Sequence, residues 1–350
     1  MPRKTVTIKN IAEYCGVSKS LVGYILNNSS VRQGSPEVRR QVQRAARDLG
    51  YYPNFAAKML VGKSSHLIGV SIGSQAPAVQ FRWLRELERK ARARDYRLMI
   101  SENSGEADDL LATYYMFQQY GINGVIYYGI DTPAHRVVQK ESLSGLQNLV
   151  FIGRTSVEDS CFVDIDWGNG IRAGAEHFLR GGRRHPALVV DRTPYYTVEG
   201  RVSGFLEAMA ENGLVEGKDC FVCRIDYSPD RQAIRELVRQ VLEEQILPNR
   251  IDAVLMQNDF YASALLQEAA RRNIKVPRDL AVIGFDDEQF TDTTIPPLAT
   301  IDQQVEQQAA AALDLLISAI ENGGEPNVRS IRVPTSLVLR ESAGNASLFS

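Results

Sequence analysis

The chain has 350 residues, more than one ordinary domain uses and enough for two or three. Apolar residues make up 44% of it, as in a soluble globular protein, and no run approaches the ~18 apolar residues of a membrane span. The net charge of −2 hides an asymmetry: residues 1–63 hold eleven Lys/Arg and three acids, a net +8, and the remainder is −10. A basic head on an acidic body is the footprint of a nucleic-acid-binding module on a carrier domain.

The N-terminus has no apolar run behind its basic residues, so no secretory leader is expected and the protein is assigned to the cytoplasm. Apolar residues at Ile8, Ile11 and Ala12, then at Val22, Ile25 and Leu26, have the spacing of two amphipathic helices. Between them lies Cys15-Gly16-Val17-Ser18, where Gly16 can take positive φ and Ser18 can N-cap the second helix. Two short helices joined this tightly read as a helix-turn-helix, whose second helix enters the DNA major groove; an ordinary helical hairpin is the alternative. A third helix is expected from Ser35-Pro36-Glu37 to about Leu49, with Ser35 as N-cap and Pro36 at the first helical position.

After a polar linker at 61–66, short β-rich runs alternate with helices. Strands are expected over 66–72, 96–100, 124–129 and 149–152, with helices over 80–94 and 108–120 and near 134–140. The alternation restarts at 162–166. Helices follow over 168–180, 197–212, 229–244 and 260–273, with strands over 187–190, 219–225, 253–256 and 280–285. Such βαβ repeats make parallel sheets, and two series of them make two doubly wound subdomains facing across a cleft that holds ligand at the strand ends.

Enzymatic function has little support, since no P-loop or metal cluster occurs and the four His are scattered. Cys220 and Cys223 form a lone CxxC without a second ligand pair, which fits a buried strand better than a zinc site. No cofactor or metal is implied.

The ordered run TIKNIAEYCGVSKSLVGYILNN, the helix ending in LGYYPN and the AAKML segment closely resemble the DNA-binding head of the LacI/GalR family of bacterial transcription regulators. The likeness continues through Asp166 with Gly170, the runs 177–184 and 200–205, Gln257-Asn258-Asp259, the run 276–287, Thr300-Ile301-Asp302-Gln303 and the run 333–342. It implies an α/β fold: a three-helix helix-turn-helix head (1–53), a hinge helix and linker (54–65), and two doubly wound parallel subdomains of periplasmic-binding-protein type. These would be 66–164 plus 293–327 and 165–292 plus 328–342, with a tail at 343–350. Three crossovers are implied, with helix 302–321 returning to the first subdomain and strand 330–340 to the second.

The family role makes the chain a sequence-specific DNA-binding regulator, a repressor by expectation, that binds double-stranded operator as a homodimer under control of a small-molecule effector, a sugar or sugar derivative. Thr7 and Ser18 would hold phosphate, and Lys19, Ser20 and Tyr24 would read bases, with Leu21, Gly23 and Asn27 beside them. Gly23-Tyr24 departs from the Ser-Arg common in the family, and Tyr24 can alternatively pack on the head. In the hinge, which begins at DNA-binding Asn54, Ala57 would allow close approach to the minor groove, Lys58 would contact phosphate and Leu60 would wedge a base step. Arg201 and Asp259 would clamp vicinal hydroxyls, or form an interdomain salt bridge instead. Tyr195, Tyr196, Tyr227 and Phe260 would stack on a sugar face or serve as core, Asp166 sits at a crossover, and Arg154 would favour an anionic ligand or remain a surface residue. A sugar-binding protein, or a DNA-architectural protein without an effector, are the competing readings.

Overall fold

The computed structural model describes residues 6–26, 34–52, 64–73, 77–103, 107–128, 146–154, 160–228, 230–324 and 328–344. The chain divides into two compact units, Met1–Ser65 and His66–Ser350.

In the first unit, α1 (Ile8–Cys15), α2 (Lys19–Leu26) and α3 (Pro36–Asp48) pack around Ile11, Val22, Ile25 and Val42, all essentially without solvent exposure. Local chemistry sets the ends. Thr7 and Asn10 bond reciprocally at the start of α1 (Thr7 N to Asn10 Oδ1, 3.0 Å). Gly16 stops α1 at φ 66°, a left-handed conformation that costs glycine no Cβ clash. Ser18 Oγ accepts from the Leu21 amide at 3.2 Å and Ser35 Oγ from the Val38 amide at 3.3 Å. The α1–α2 turn is therefore the expected helix-turn-helix.

In the second unit, β1 (Leu67–Gly73), β2 (Arg97–Asn103), β3 (Gly124–Tyr128), β4 (Leu149–Ile152), β5 (Cys161–Asp166) and β11 (Ser330–Pro334) form one parallel sheet in the order β11-β5-β4-β3-β1-β2. β6 (Pro186–Asp191), β7 (Phe221–Ile225), β8 (Ala253–Met256) and β9 (Ala281–Ile283) form a second, in the order β7-β6-β8-β9. Every residue of β3, β4, β6, β8 and β9 is buried, as expected of parallel strands covered on both faces. The first lobe is covered by α4 (Ala78–Ala93), α5 (Ala107–Gln119) and α10 (Val305–Glu321). The second carries α6 (Trp167–Arg180), α7 (Tyr196–Glu211), α8 (Arg231–Val241) and α9 (Asp259–Arg271). The helix expected near 134–140 lies outside the described residues, as do the hinge residues.

One assignment needs correction. Strand 330–340 does not join the second lobe as a whole. Ser330–Pro334 pairs in parallel with β5, from Ser330 opposite Phe162 to Pro334 opposite Asp166, and so extends the first sheet. The buried edge of β5 would otherwise leave its ladder groups unpaired. The chain turns at Thr335, whose hydroxyl donates to the Asp166 carbonyl (2.7 Å) and accepts from the Gly170 amide (2.8 Å). Only β12 (Ser336–Val338) leaves that sheet, pairing antiparallel with β10 (Thr300–Asp302).

α6 and α7 cross at backbone contact. A Cβ built on Gly204 would lie 2.5 Å from the Gly168 carbonyl oxygen and 2.6 Å from its Cα. Main-chain atoms cannot swing aside, so Gly204→Ala must separate the two helices. Urea unfolding of the full chain should show a loss of about 2–3 kcal/mol, at the upper end of overpacking costs. An unchanged midpoint would mean that this crossing yields freely.

Candidate nucleic-acid interface and ligand cleft

On the head, Thr7, Ser18, Lys19, Ser20 and Tyr24 are exposed, while Leu21 and Gly23 are half-buried and Leu21 packs against the head core. Tyr24 keeps 45% of its surface accessible, so packing on the head does not bury it. The outward row at the start of α2 therefore offers an ammonium, two hydroxyls and a phenol, groups that can donate to base edges and phosphate. Asn27, Asn54, Ala57, Lys58 and Leu60 lie outside the described residues.

In the second unit a cavity of about 290 Å³ opens at the carboxyl ends of the strands, between the two sheets. Arg201 projects into it from the first turns of α7 and is roofed by rings. Its guanidinium carbon lies 4.0 Å from the Phe285 centroid and 5.1 Å from that of Trp167. The two rings stack on each other with centroids 5.9 Å apart. Desolvation lowers the Arg201 pKa to about 10, opposed by the charge of Asp286. Asp286 follows β9 and accepts from Gln303 Nε2 at 2.5 Å. Burial raises its pKa to about 7, against the pull of Arg201 and Gln303. Tyr128, Tyr195, Tyr196 and Tyr227 add aromatic walls, and Asp191 closes the end of β6.

Five buried polar atoms on this lining have no hydrogen-bond partner among the described residues: Gln80 Oε1, Trp167 Nε1, Arg201 Nε, Gln257 Nε2 and Gln303 Oε1. Buried polar groups are ordinarily satisfied, because leaving one unpaired costs about 1–3 kcal/mol. Three donors and two acceptors carried by residues that line one cavity, among aromatic faces, suit a small ligand rich in hydroxyls, each of which both donates and accepts.

Arg201, Tyr195, Tyr196, Tyr227 and Arg154 line this cavity. Arg154 is already engaged, donating to Asp164 Oδ2 at 3.1 Å and standing 5.0 Å from the Tyr196 centroid, so it is not a bare surface cation. Asp259, expected to clamp with Arg201, does not line it. It is the first residue of α9 and fully buried, its Oδ1 accepting from Thr300 Oγ1 (2.6 Å) and its Oδ2 from the Glu288 amide (2.8 Å). It braces the segment that carries Asp286 from behind, and Asp286 takes the place expected of Asp259. Phe260 turns away to pair with Phe290 (centroids 5.0 Å apart) at a separate groove. Asp166 caps α6 through the Asn169 amide (3.1 Å) and pairs with Arg332 (2.8 Å).

Asp286, Gln303, Gln257, Gln80 and Trp167 line the cavity without having been singled out as ligand candidates. Gln303 and Gln257 follow a strand directly and Asp286 lies three residues past one, which is the signal that points to them. Cys220 and Cys223 are buried and unbridged, and desolvation raises each thiol to about 11. Among the described residues no helix is long and apolar enough to cross a membrane.

Residues 7–54 match the family model for bacterial regulatory proteins of the lacI family, and residues 175–343 match the periplasmic binding protein-like domain. The chain is 27% identical over 346 residues to the ribose operon repressor of Bacillus subtilis, covering 96% of this chain and 98% of the relative. It is 28% identical over 354 residues to the HTH-type transcriptional regulator GntR of Pseudomonas aeruginosa, covering 96% and 95%. The fold matches the lac repressor dimer bound to operator and the anti-inducer ONPF, with a TM-score of 0.80, 23% identity, and coverage of 97% and 99%. With a helix-turn-helix head and a two-lobed binding body in the same order along their whole length, this chain belongs to the LacI/GalR family of DNA-binding transcriptional regulators.

Proposed function

We propose that this regulator represses transcription from a palindromic operator as a cytoplasmic homodimer, and that a neutral sugar or sugar derivative in the cleft sets its affinity for DNA. The observation that carries the effector reading is the set of five unpartnered polar atoms around Arg201 and Asp286, framed by aromatic rings. The names of the relatives, a ribose operon repressor among them, support a carbohydrate. On the head, Lys19, Ser20 and Tyr24 read bases while Thr7 and Ser18 hold phosphate. Leu60 is the proposed minor-groove wedge, a role that rests on the sequence resemblance alone. Binding of the sugar acts by its differential affinity for two global states of the body, each with its own affinity for operator.

The test is selection of genomic DNA fragments by the purified full chain at fixed salt, repeated with D-ribose, D-glucose, D-galactose and D-gluconate. Recovery of a site with two inverted half-sites is expected, and one of these sugars should change its retention at least tenfold. Salt-sensitive binding without a preferred sequence would overturn operator recognition. A specific site indifferent to every neutral sugar, but released by gluconate, would replace the neutral ligand with an anionic one held through Arg154.

A further inference from the structure

Arg82 stands on α4 of the first lobe, two residues beyond Gln80 of the cavity wall. Its guanidinium reaches the segment that follows β9 of the second lobe. Nη1 donates to the main-chain carbonyl of Asp286 at 2.7 Å and also to that of Asp287. Nη2 lies 4.0 Å from Asp302 Oδ1, and only 16% of the side chain is exposed. The guanidinium fork thus reaches two successive carbonyls through Nη1 and faces a carboxylate through Nη2, a spread of donors over two nitrogens that the single nitrogen of lysine does not provide.

The two carbonyls belong to residues in an unusual conformation. Asp286 has φ 110° and Asp287 φ 51°. Residues with a Cβ enter that region seldom, and stay only where their surroundings over-determine them. Several bonds hold this segment from its own side. The Asp286 amide donates to the Ile301 carbonyl at 2.8 Å, the Asp287 amide to Thr300 Oγ1 at 3.2 Å, and the Glu288 amide to buried Asp259 at 2.8 Å. Arg340 pairs with the Asp287 carboxylate at 3.0 Å. Arg82 adds a hold from the other lobe. One short segment thus presents a carboxylate to the cavity and its carbonyls to a side chain rooted across the cleft.

We propose that Arg82 is a positioning residue that ties the first lobe to the strained Asp286–Asp287 segment, so that the aim of the cavity carboxylate depends on where the lobes stand. The proposal rests on reading the cleft as the effector site. It adds the element by which occupancy of that site and lobe position become one variable, because a ligand that moves Asp286 must load or release the Arg82 fork.

The test needs no ligand. Amide hydrogen exchange is followed in the full chain as wild type, Arg82→Gln and Arg82→Lys. Arg82→Gln should speed exchange over residues 286–288 by about tenfold or more while β8 keeps wild-type protection, since local opening then replaces a held segment. Arg82→Lys, which keeps the charge without the fork, should recover only part of the protection. A second readout is the pH midpoint of tryptophan emission that Asp286→Asn abolishes, since Trp167 stacks within the cavity. Arg82 is among the charges that hold the Asp286 carboxyl down, so Arg82→Gln should move this midpoint upward and Arg82→Lys should restore it. A strut of purely structural effect would not move that midpoint. Unchanged exchange at 286–288, loss of protection spread equally through β8, or an unmoved midpoint would each overturn the proposal. Failure of every sugar to bind would instead overturn the effector reading and leave these measurements standing.

Discussion

Arg201→Ala should retain operator binding and lose the response to effector. The guanidinium is the charge that faces Asp286 across the cavity, and it lies against Phe285 and Trp167 on its other side. Removing it takes from the cavity a charged donor for ligand hydroxyls, and hydrogen bonds to charged groups are worth about 1.5–3 kcal/mol. Against ligand binding, the upper end of that range is a loss of roughly 150-fold in affinity. Calorimetric titration with whichever neutral sugar stabilises the wild type reads this loss, and a gel-shift titration on the selected operator reads the DNA side. Arg201→Lys should not rescue it, because a compact ammonium neither stacks on aromatic rings as a planar guanidinium does nor carries the Nε donor that has no partner among the described residues. Equal sugar affinity in wild type and Arg201→Ala would remove Arg201 from the site.

Much of this arrangement was legible before the fold was known. The head announced itself through periodicity, caps and charge, and its turn formed where Gly16 and Ser18 stand. Arg201 came from the family resemblance, and the tyrosines at 195, 196 and 227 from their place at strand-to-helix turns, where ligands of doubly wound sheets lie. Asp259 came from the same resemblance as Arg201 and misled. It follows β8 almost immediately, but Asn258 takes the cap, and the first helical turn sends the Asp259 side chain inward toward Thr300. Asp286 was visible in the Gly284-Phe285-Asp286-Asp287 run, yet its direction depends on a positive φ that no propensity predicts for aspartate followed by aspartate. The placement of Ser330–Pro334 was illegible for another reason. Local pattern says that a segment is a strand and leaves open which sheet edge is free to receive it, and the free edge was that of β5.

Stability should fall as pH rises toward neutrality, and Asp286→Asn should remove part of that fall. The Asp286 carboxyl has its pKa raised by burial from the ordinary 3.8 to about 7, with Arg201, Gln303 and Arg82 opposing the shift and Glu288 adding to it. In the unfolded chain the proton leaves near the ordinary value, and in the folded protein it stays until about pH 7. Between those limits the folded state binds the extra proton, so each unit of added pH costs up to about 1.4 kcal/mol from this one group. The contribution is complete at and below pH 4, is lost on the way up, and is exhausted above about pH 7. Asp259, Glu288 and Asp302 are shifted in the same direction, chiefly by burial, and they persist in the variant. The difference between the wild-type and Asp286→Asn unfolding curves from pH 5 to 8 therefore isolates Asp286. Ligand affinity should run the opposite way. A hydroxyl donates better to a carboxylate than to a carboxyl, so sugar binding should strengthen as pH rises, by at most about tenfold per unit, and level off above pH 7. Parallel unfolding curves for wild type and variant would mean that Asp286 is ionised throughout and that its charge, already stabilised by Arg201, makes no pH-dependent contribution in this range.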